Sequence, residues 1–210
     1  GEPDREEQLR TEKLITANGI SPQIQIAHAD HSFVPGVELH PFANGEMKIV
    51  ALHRNPQLRI NELGPPEYQS NAAFEKEEEI EVNLRAPCAV YDVRAGKLLS
   101  KDEAKIKLTL NPFLPTILAL FKEPVKSVKL SASSKIKRGE ALVCKIALDA
   151  PAPGDVHVYP VEVTGPDGRA LPNYSRNLKA LKGPCETTLY LALNDLPGAY
   201  TITVRDVSAK

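Results

Sequence analysis

CAVYDVRAGKLLSKDEAKIKLTLNPFLPTILALF (residues 88–121) contains three apolar runs separated by turn chemistry. Val90 and Val93 lie on one side of Arg94-Ala95-Gly96-Lys97 and Leu98 on the other, and Gly96 supplies the positive φ that a tight hairpin turn requires. Further on, Ile106, Leu108 and Leu110 alternate with Lys105, Lys107 and Thr109, the period-two signature of a strand with one wet face. The whole stretch reads as β-structure and runs up to Lys122-Glu123-Pro124, a stiff candidate linker.

Working outward, the 210 residues suffice for one large or two small domains, each with its own core. A composition of 42% hydrophobic and 25% charged residues is that of a globular chain. No apolar run reaches the length of a membrane-spanning helix. Gly1-Glu2-Pro3-Asp4 does not begin a signal peptide, and an opening Gly in place of Met suggests a chain cut from something longer. Through Pro124 there are 14 basic and 19 acidic residues, net −5; beyond it 12 and 8, net +4. Opposite signs favour docking of two halves only weakly, because salt screens exposed charges beyond roughly 8 to 10 Å. Neither half has the basic excess with interleaved aromatics of a nucleic-acid surface, so no nucleic-acid partner is expected.

Before the opening stretch, one helix is expected over about Asp4–Asn18, with Glu6, Glu7 and Glu12 early and Asn18-Gly19 as its stop. Strands follow at Ile20–Ala27, Val37–Phe42 and Met47–His53, the last two joined through Asn44-Gly45, the strongest hairpin signal in the chain. Pro56, Pro65, Pro66 and the acidic run Glu75–Glu79 mark an irregular, solvated stretch. After Pro124, strands are expected around Val128 and Leu130, over Ala141–Leu148, Val156–Thr164, Thr187–Leu193 and Ala199–Val207. Pro160 assigns its strand to an edge or a bulge. The fold class is therefore mainly all-β, with two β-sandwich domains: a β-sandwich module over residues 1–123 with a leading helix, and an immunoglobulin- or fibronectin-like sandwich over 124–210.

Groups that could carry chemistry are few. His28, Asp30 and His31 are three potential metal ligands within four residues, but no fourth ligand can be named and the spacing matches no standard zinc pattern, so a polar loop and no metal are expected. His40, His53 and His157 stand isolated in strands. Cys144 and Cys185 could bridge the second sandwich, yet one sits mid-strand and the other follows Pro184, which favours free thiols. No cysteine has a histidine reliably beside it to act as base, and no cofactor is indicated.

HVYPVEVTGPDGRALPNYSRNL (157–178) and LALNDLPGAYTITVRDV (191–207) resemble the C-terminal sandwich of large modular bacterial glycoside hydrolases of the β-galactosidase-like kind. That family's accessory region has the same order of extended strand, Gly-Pro-Asp-Gly turn, Tyr-x-Arg-Asn crossing, Leu-Asn-Asp turn and final strand. GVELHPFANGEMKIVALHRNP (36–56) and VYDVRAGKLL (90–99) resemble the β-module before it. The chain departs from the pattern in having Tyr200 where the family usually has Trp, and in lacking any counterpart of the catalytic barrel and its carboxylates. The resemblance implies a non-catalytic structural or interaction region of an exported, periplasmic or extracellular, carbohydrate-active protein. Its partners would be the upstream catalytic domain of the same polypeptide or other subunits. The alternatives are a carbohydrate-binding module and a stand-alone glycosidase. There is no Trp to serve as a sugar platform, and Tyr68 and Tyr174 are the tyrosines outside strand patterns. Asn173, Tyr174, Arg176 and Asn177 form the candidate ligand site.

Overall fold

A computed structural model describes residues 5–55, 75–151 and 154–209. The described residues are mostly β-strand with one short helix, arranged as one curled sheet and further sheets in a sandwich-like fold. The elements are α1 (Arg5–Ala17), β1 (Ile24–Ala27), β2 (Val37–Asn44), β3 (Met47–Arg54), β4 (Glu78–Asp92), β5 (Lys97–Leu110), β6 (Thr116–Phe121), β7 (Ser127–Ser131), β8 (Ala141–Asp149), β9 (Val156–Thr164), β10 (Arg176–Leu181), β11 (Cys185–Tyr190) and β12 (Thr201–Val204). The first sheet has the order β1-β4-β6-β3-β2, with β5 also on β4. Pro56, Pro65, Pro66 and Tyr68 lie outside the described residues.

The chain divides into two compact units, each assembled from several segments. Gly1–Leu39, Leu52–Pro87 and Glu103–Pro115 form the first; His40–Ala51, Cys88–Asp102 and Thr116–Lys210 form the second, so the Glu123–Pro124 join falls inside the second unit.

In the first unit α1 stops as its sequence dictates. Gly19 takes φ 74°, and the Ile20 N–H reaches back to the Ile15 carbonyl at 3.1 Å, satisfying a carbonyl the helix leaves open. β1 pairs antiparallel with β4, Ile24 opposite Leu84 and Ala27 opposite Glu81. The predicted alternation of β5 holds: Ile106, Leu108 and Leu110 are buried, while Lys105, Lys107 and Thr109 are exposed. The acidic run is not one uniform loop, because Glu78 and Glu79 already belong to β4. Glu78 Oε2 lies 3.1 Å from Nη2 of buried Arg54, whose Nη1 donates to the Lys76 carbonyl. Glu81 is buried and takes Nζ of Lys105 at 2.9 Å.

The second unit has an apolar cluster of Met47, Ala89, Tyr91, Ala119, Phe121, Val125 and Ala209. It forms because β4 and β6 pair with Ala89 opposite Phe121 and Tyr91 opposite Ala119, placing their alternate side chains on one face. Tyr91 and Phe121 meet edge to face, centroids 5.5 Å apart. The Tyr91 hydroxyl accepts the Val125 N–H at 2.9 Å, immediately after the Pro124 join. Beyond it lie two three-stranded antiparallel sheets, β11-β8-β7 and β10-β9-β12. Leu142, Cys144 and Leu189 of one sheet pack with Val163 of the other, and Ile146 packs with Tyr159, Val161 and Ala180.

Pro160 corrects the expectation of an edge. It lies in β9, the central strand, opposite Asn177 of β10. The Pro160 carbonyl accepts the Arg205 N–H at 3.4 Å, just past the end of β12 at Val204. A strand residue's carbonyl and N–H point to the same side, so the missing donor of Pro160 falls where the β12 ladder is already ending.

Candidate functional site

Tyr174 precedes β10 in the crossing that follows the Gly165–Gly168 turn, and its ring packs half-buried against the Leu142, Cys144, Val163 and Leu189 cluster. Its hydroxyl donates to Asp195 Oδ2 at 2.6 Å and accepts the Ala192 N–H at 3.1 Å. The same Asp195 oxygen also accepts the Ala192 N–H at 2.7 Å. The hydrogen bond to the Asp195 carboxylate, followed by burial, holds the Tyr174 phenol above its ordinary pKa. Ser175 extends the fastening: its hydroxyl donates to the Leu171 carbonyl and accepts the Val163 N–H, both at 3.0 Å. The crossing is thereby tied to β9 and to the 191–195 turn.

Asn173, Arg176 and Asn177 are exposed. Arg176 and Asn177 are consecutive in β10, so their side chains leave opposite faces of the strand. Asn177 is on the side of Lys179 and Leu181, and Arg176 on the side of Leu178 and buried Ala180. Of the four candidate residues, Tyr174 alone has a hydrogen-bonded, partly buried setting shared with another acidic side chain.

The His28–His31 segment forms a closed turn in the first unit. The His31 N–H donates to the His28 carbonyl, the His28 N–H to the Ser32 carbonyl, and Asp30 Oδ1 accepts the Ser32 N–H at 2.9 Å. Hydrogen bonds from the Ser32 side chain, then from its backbone, hold the Asp30 carboxyl below the usual range. His28 turns toward β4, with Nδ1 3.3 Å from the Glu79 carbonyl and Nε2 3.6 Å from Glu78. Among the described residues no three His, Cys, Asp or Glu side chains converge as metal ligands.

Two polar arrangements in the second unit were not anticipated. His157 in β9 and Asp206 after β12 are buried together, Nδ1 to Oδ2 at 2.7 Å, and Asp206 Oδ1 accepts the Ser208 N–H at 2.8 Å. Tyr159 lies stacked beside His157, centroids 6.1 Å apart; burial, then the Asp206 charge, pushes its phenol strongly upward. With the Val207 N–H bonded to the Val158 carbonyl, this pair fastens the last residues so that Ala209 reaches the Tyr91 and Phe121 cluster.

The other arrangement is a two-point clasp. Asn44 ends β2; its Nδ2 donates to the Val156 carbonyl and its Oδ1 accepts the Val156 N–H, both at 2.7 Å. Gly45 and Glu46 make the hairpin turn, with Gly45 at φ 61°.

Cys88, Cys144 and Cys185 are free thiols. Cys144 stands opposite Thr187, and Cys185 opposite Ile146, so the two cysteines are diagonal neighbours on β8 and β11. Diagonal positions are about 7 to 8 Å apart, beyond the span a disulfide bridges without backbone movement. Burial pushes all three thiols above their ordinary pKa, leaving them poor nucleophiles.

Neither a protein-family model nor a curated protein sequence matches this chain.

Proposed function

We propose that this chain is a non-catalytic structural and interaction region of a larger exported carbohydrate-active protein of the β-galactosidase-like glycoside hydrolase kind. The observation that carries the reading is what the site-like side chains do. Tyr174 and Asp195 tie a crossing to a turn, His157 and Asp206 tie down the last residues, and Asn44 ties a hairpin to β9. The hydrogen bonds these side chains make go to the chain itself, with Nε2 of buried His157 left without a partner. The family part of the proposal rests on the resemblance in motif order over residues 157–178 and 191–207. An interaction role is favoured by exposed Leu9, Leu14, Ile15 and Phe33 of the first unit, which with half-buried Val37 and Leu39 help line an open groove of about 1220 Å³.

The test is the parent polypeptide with and without this region. The expected result is a lower melting temperature or altered subunit assembly on deletion, with the turnover number per folded chain retained. Turnover of aryl glycosides by the isolated 210-residue chain, abolished by one carboxylate-to-amide substitution, would overturn the reading. A second reading, carbohydrate binding, is favoured by the exposure of Asn173, Arg176 and Asn177, although Arg176 and Asn177 leave opposite faces of β10. Retardation of the isolated chain in polysaccharide-containing gels, lost in Arg176→Ala, would establish it instead.

A further inference from the structure

The clasp at Asn44 carries a consequence for the covalent chemistry of the chain. Asn followed by Gly is the dipeptide in which a side-chain carboxamide is most open to attack by the next backbone nitrogen, because Gly puts no side chain in the way. The sequence contains two such pairs, Asn18-Gly19 and Asn44-Gly45. They differ in setting. Asn18 is exposed at the end of α1, with Nδ2 donating to the Leu14 carbonyl at 2.7 Å. Asn44 has both ends of its carboxamide engaged by Val156, and its own carbonyl accepts the Asp155 N–H at 3.3 Å.

We propose that Asn44 is a spontaneous modification site, a deamidation site held in check by its own clasp on Val156, whose conversion to a carboxylate releases that clasp irreversibly. In the reaction the Gly45 amide nitrogen attacks Cγ of Asn44. A C–N bond forms, and the carboxamide nitrogen leaves as ammonia with the proton from Gly45. Water then opens the cyclic imide at either carbonyl, giving Asp or iso-Asp. No electron transfer is involved, and water is the co-reactant. Reaching the attack geometry requires the carboxamide to swing away from Val156, so the two hydrogen bonds must open first. Once the product forms, an oxygen replaces the Nδ2 donor facing the Val156 carbonyl, and two acceptors confront each other. The iso-Asp product also lengthens the backbone at the end of β2, moving the turn out of register.

The close packing around the clasp supplies a perturbation. A Cβ on Gly154 would fall 2.7 Å from Asn44 Nδ2 and 3.0 Å from both its Cγ and its backbone oxygen, so Gly154→Ala displaces the carboxamide together with the strand end that carries it.

The experiment incubates the full 210-residue chain at mildly alkaline pH, folded and in urea, and follows conversion of each Asn-Gly pair by peptide mapping with mass detection. In urea, Asn18 and Asn44 are expected to react at similar rates. In the folded chain Asn44 is expected to slow about thirtyfold, the combined weight of two neutral hydrogen bonds, and Asn18 by no more than about fivefold. Gly154→Ala should restore most of the Asn44 rate and leave Asn18 unchanged, and Asn44→Asp should melt lower than the parent chain. Equal slowing at the two sites on folding, or an Asn44→Asp chain as stable as the parent, would overturn the proposal. If Gly154→Ala does not fold, the folded-to-urea ratio of the unaltered chain still decides it.

Discussion

Replacing Tyr91 by Phe removes one oxygen atom and leaves the ring in place. The phenol oxygen is the acceptor for the Val125 N–H at 2.9 Å, and Tyr91 and Val125 are 1% and 4% exposed, so water cannot take its place. The edge-to-face packing on Phe121 persists in the variant, because it depends on the ring alone. What is lost is the satisfaction of a buried donor, which costs about 1 to 3 kcal/mol. For a chain of this size about 2 kcal/mol lowers the melting temperature by roughly 4 to 8 °C. Calorimetry and urea titration measure it: the urea midpoint should fall with the slope unchanged, since the surface exposed on unfolding is the same. Phe121→Ala, which empties the cluster itself, should cost more, about 3 to 5 kcal/mol. A Tyr91→Phe chain within about 0.5 kcal/mol of the parent, a surface-like value, would refute the reasoning, because Val125 would then have another partner.

Tyr174→Phe strips Asp195 and Ala192 of a shared partner and should destabilise by about 1.5 to 3 kcal/mol, the range for hydrogen bonds to charged groups; a chemical-denaturation difference near zero would contradict the fastening role. The hydrogen bond from Lys105 holds the Glu81 carboxyl below its ordinary value near 4.5. A depressed folded-state pKa contributes stability that is present above the unfolded value and is lost as pH falls through the folded one. Acid titration of stability should therefore be less steep below about pH 4.5 in Lys105→Met, and an unchanged profile would count against this pair. For the thiols, intact mass under non-reducing conditions should show no loss of two hydrogens. Alkylation of Cys144 should be slow until urea is added, and a mapped Cys144 to Cys185 bridge would mean that β8 and β11 move.

Local chemistry determined much of this fold from the sequence. The alternation over Lys105–Leu110, the Gly96 turn with Asp92 Oδ1 accepting the Arg94 and Ala95 N–H groups, the Gly19 helix stop and the Gly165–Gly168 turn all depend on residues within a few positions of one another. Side-chain period and positive φ are properties of such short windows, so they survive reading without coordinates. The opposite faces of Arg176 and Asn177 were not legible, because the sequence reads as an irregular crossing where β10 forms. Tertiary structure alone decided which distant groups meet. Asn44 finds Val156 across 112 positions, His157 finds Asp206 across 49 and Tyr91 finds Val125 across 34. It also decided that Pro160 occupies a central strand beside the end of β12, and that Tyr174, visible as an isolated loop aromatic, spends its hydroxyl on Asp195. Each of these outcomes is a hydrogen bond or an opening in a ladder whose partner is fixed by how sheets pair and stack, and no pattern within a short window specifies that pairing.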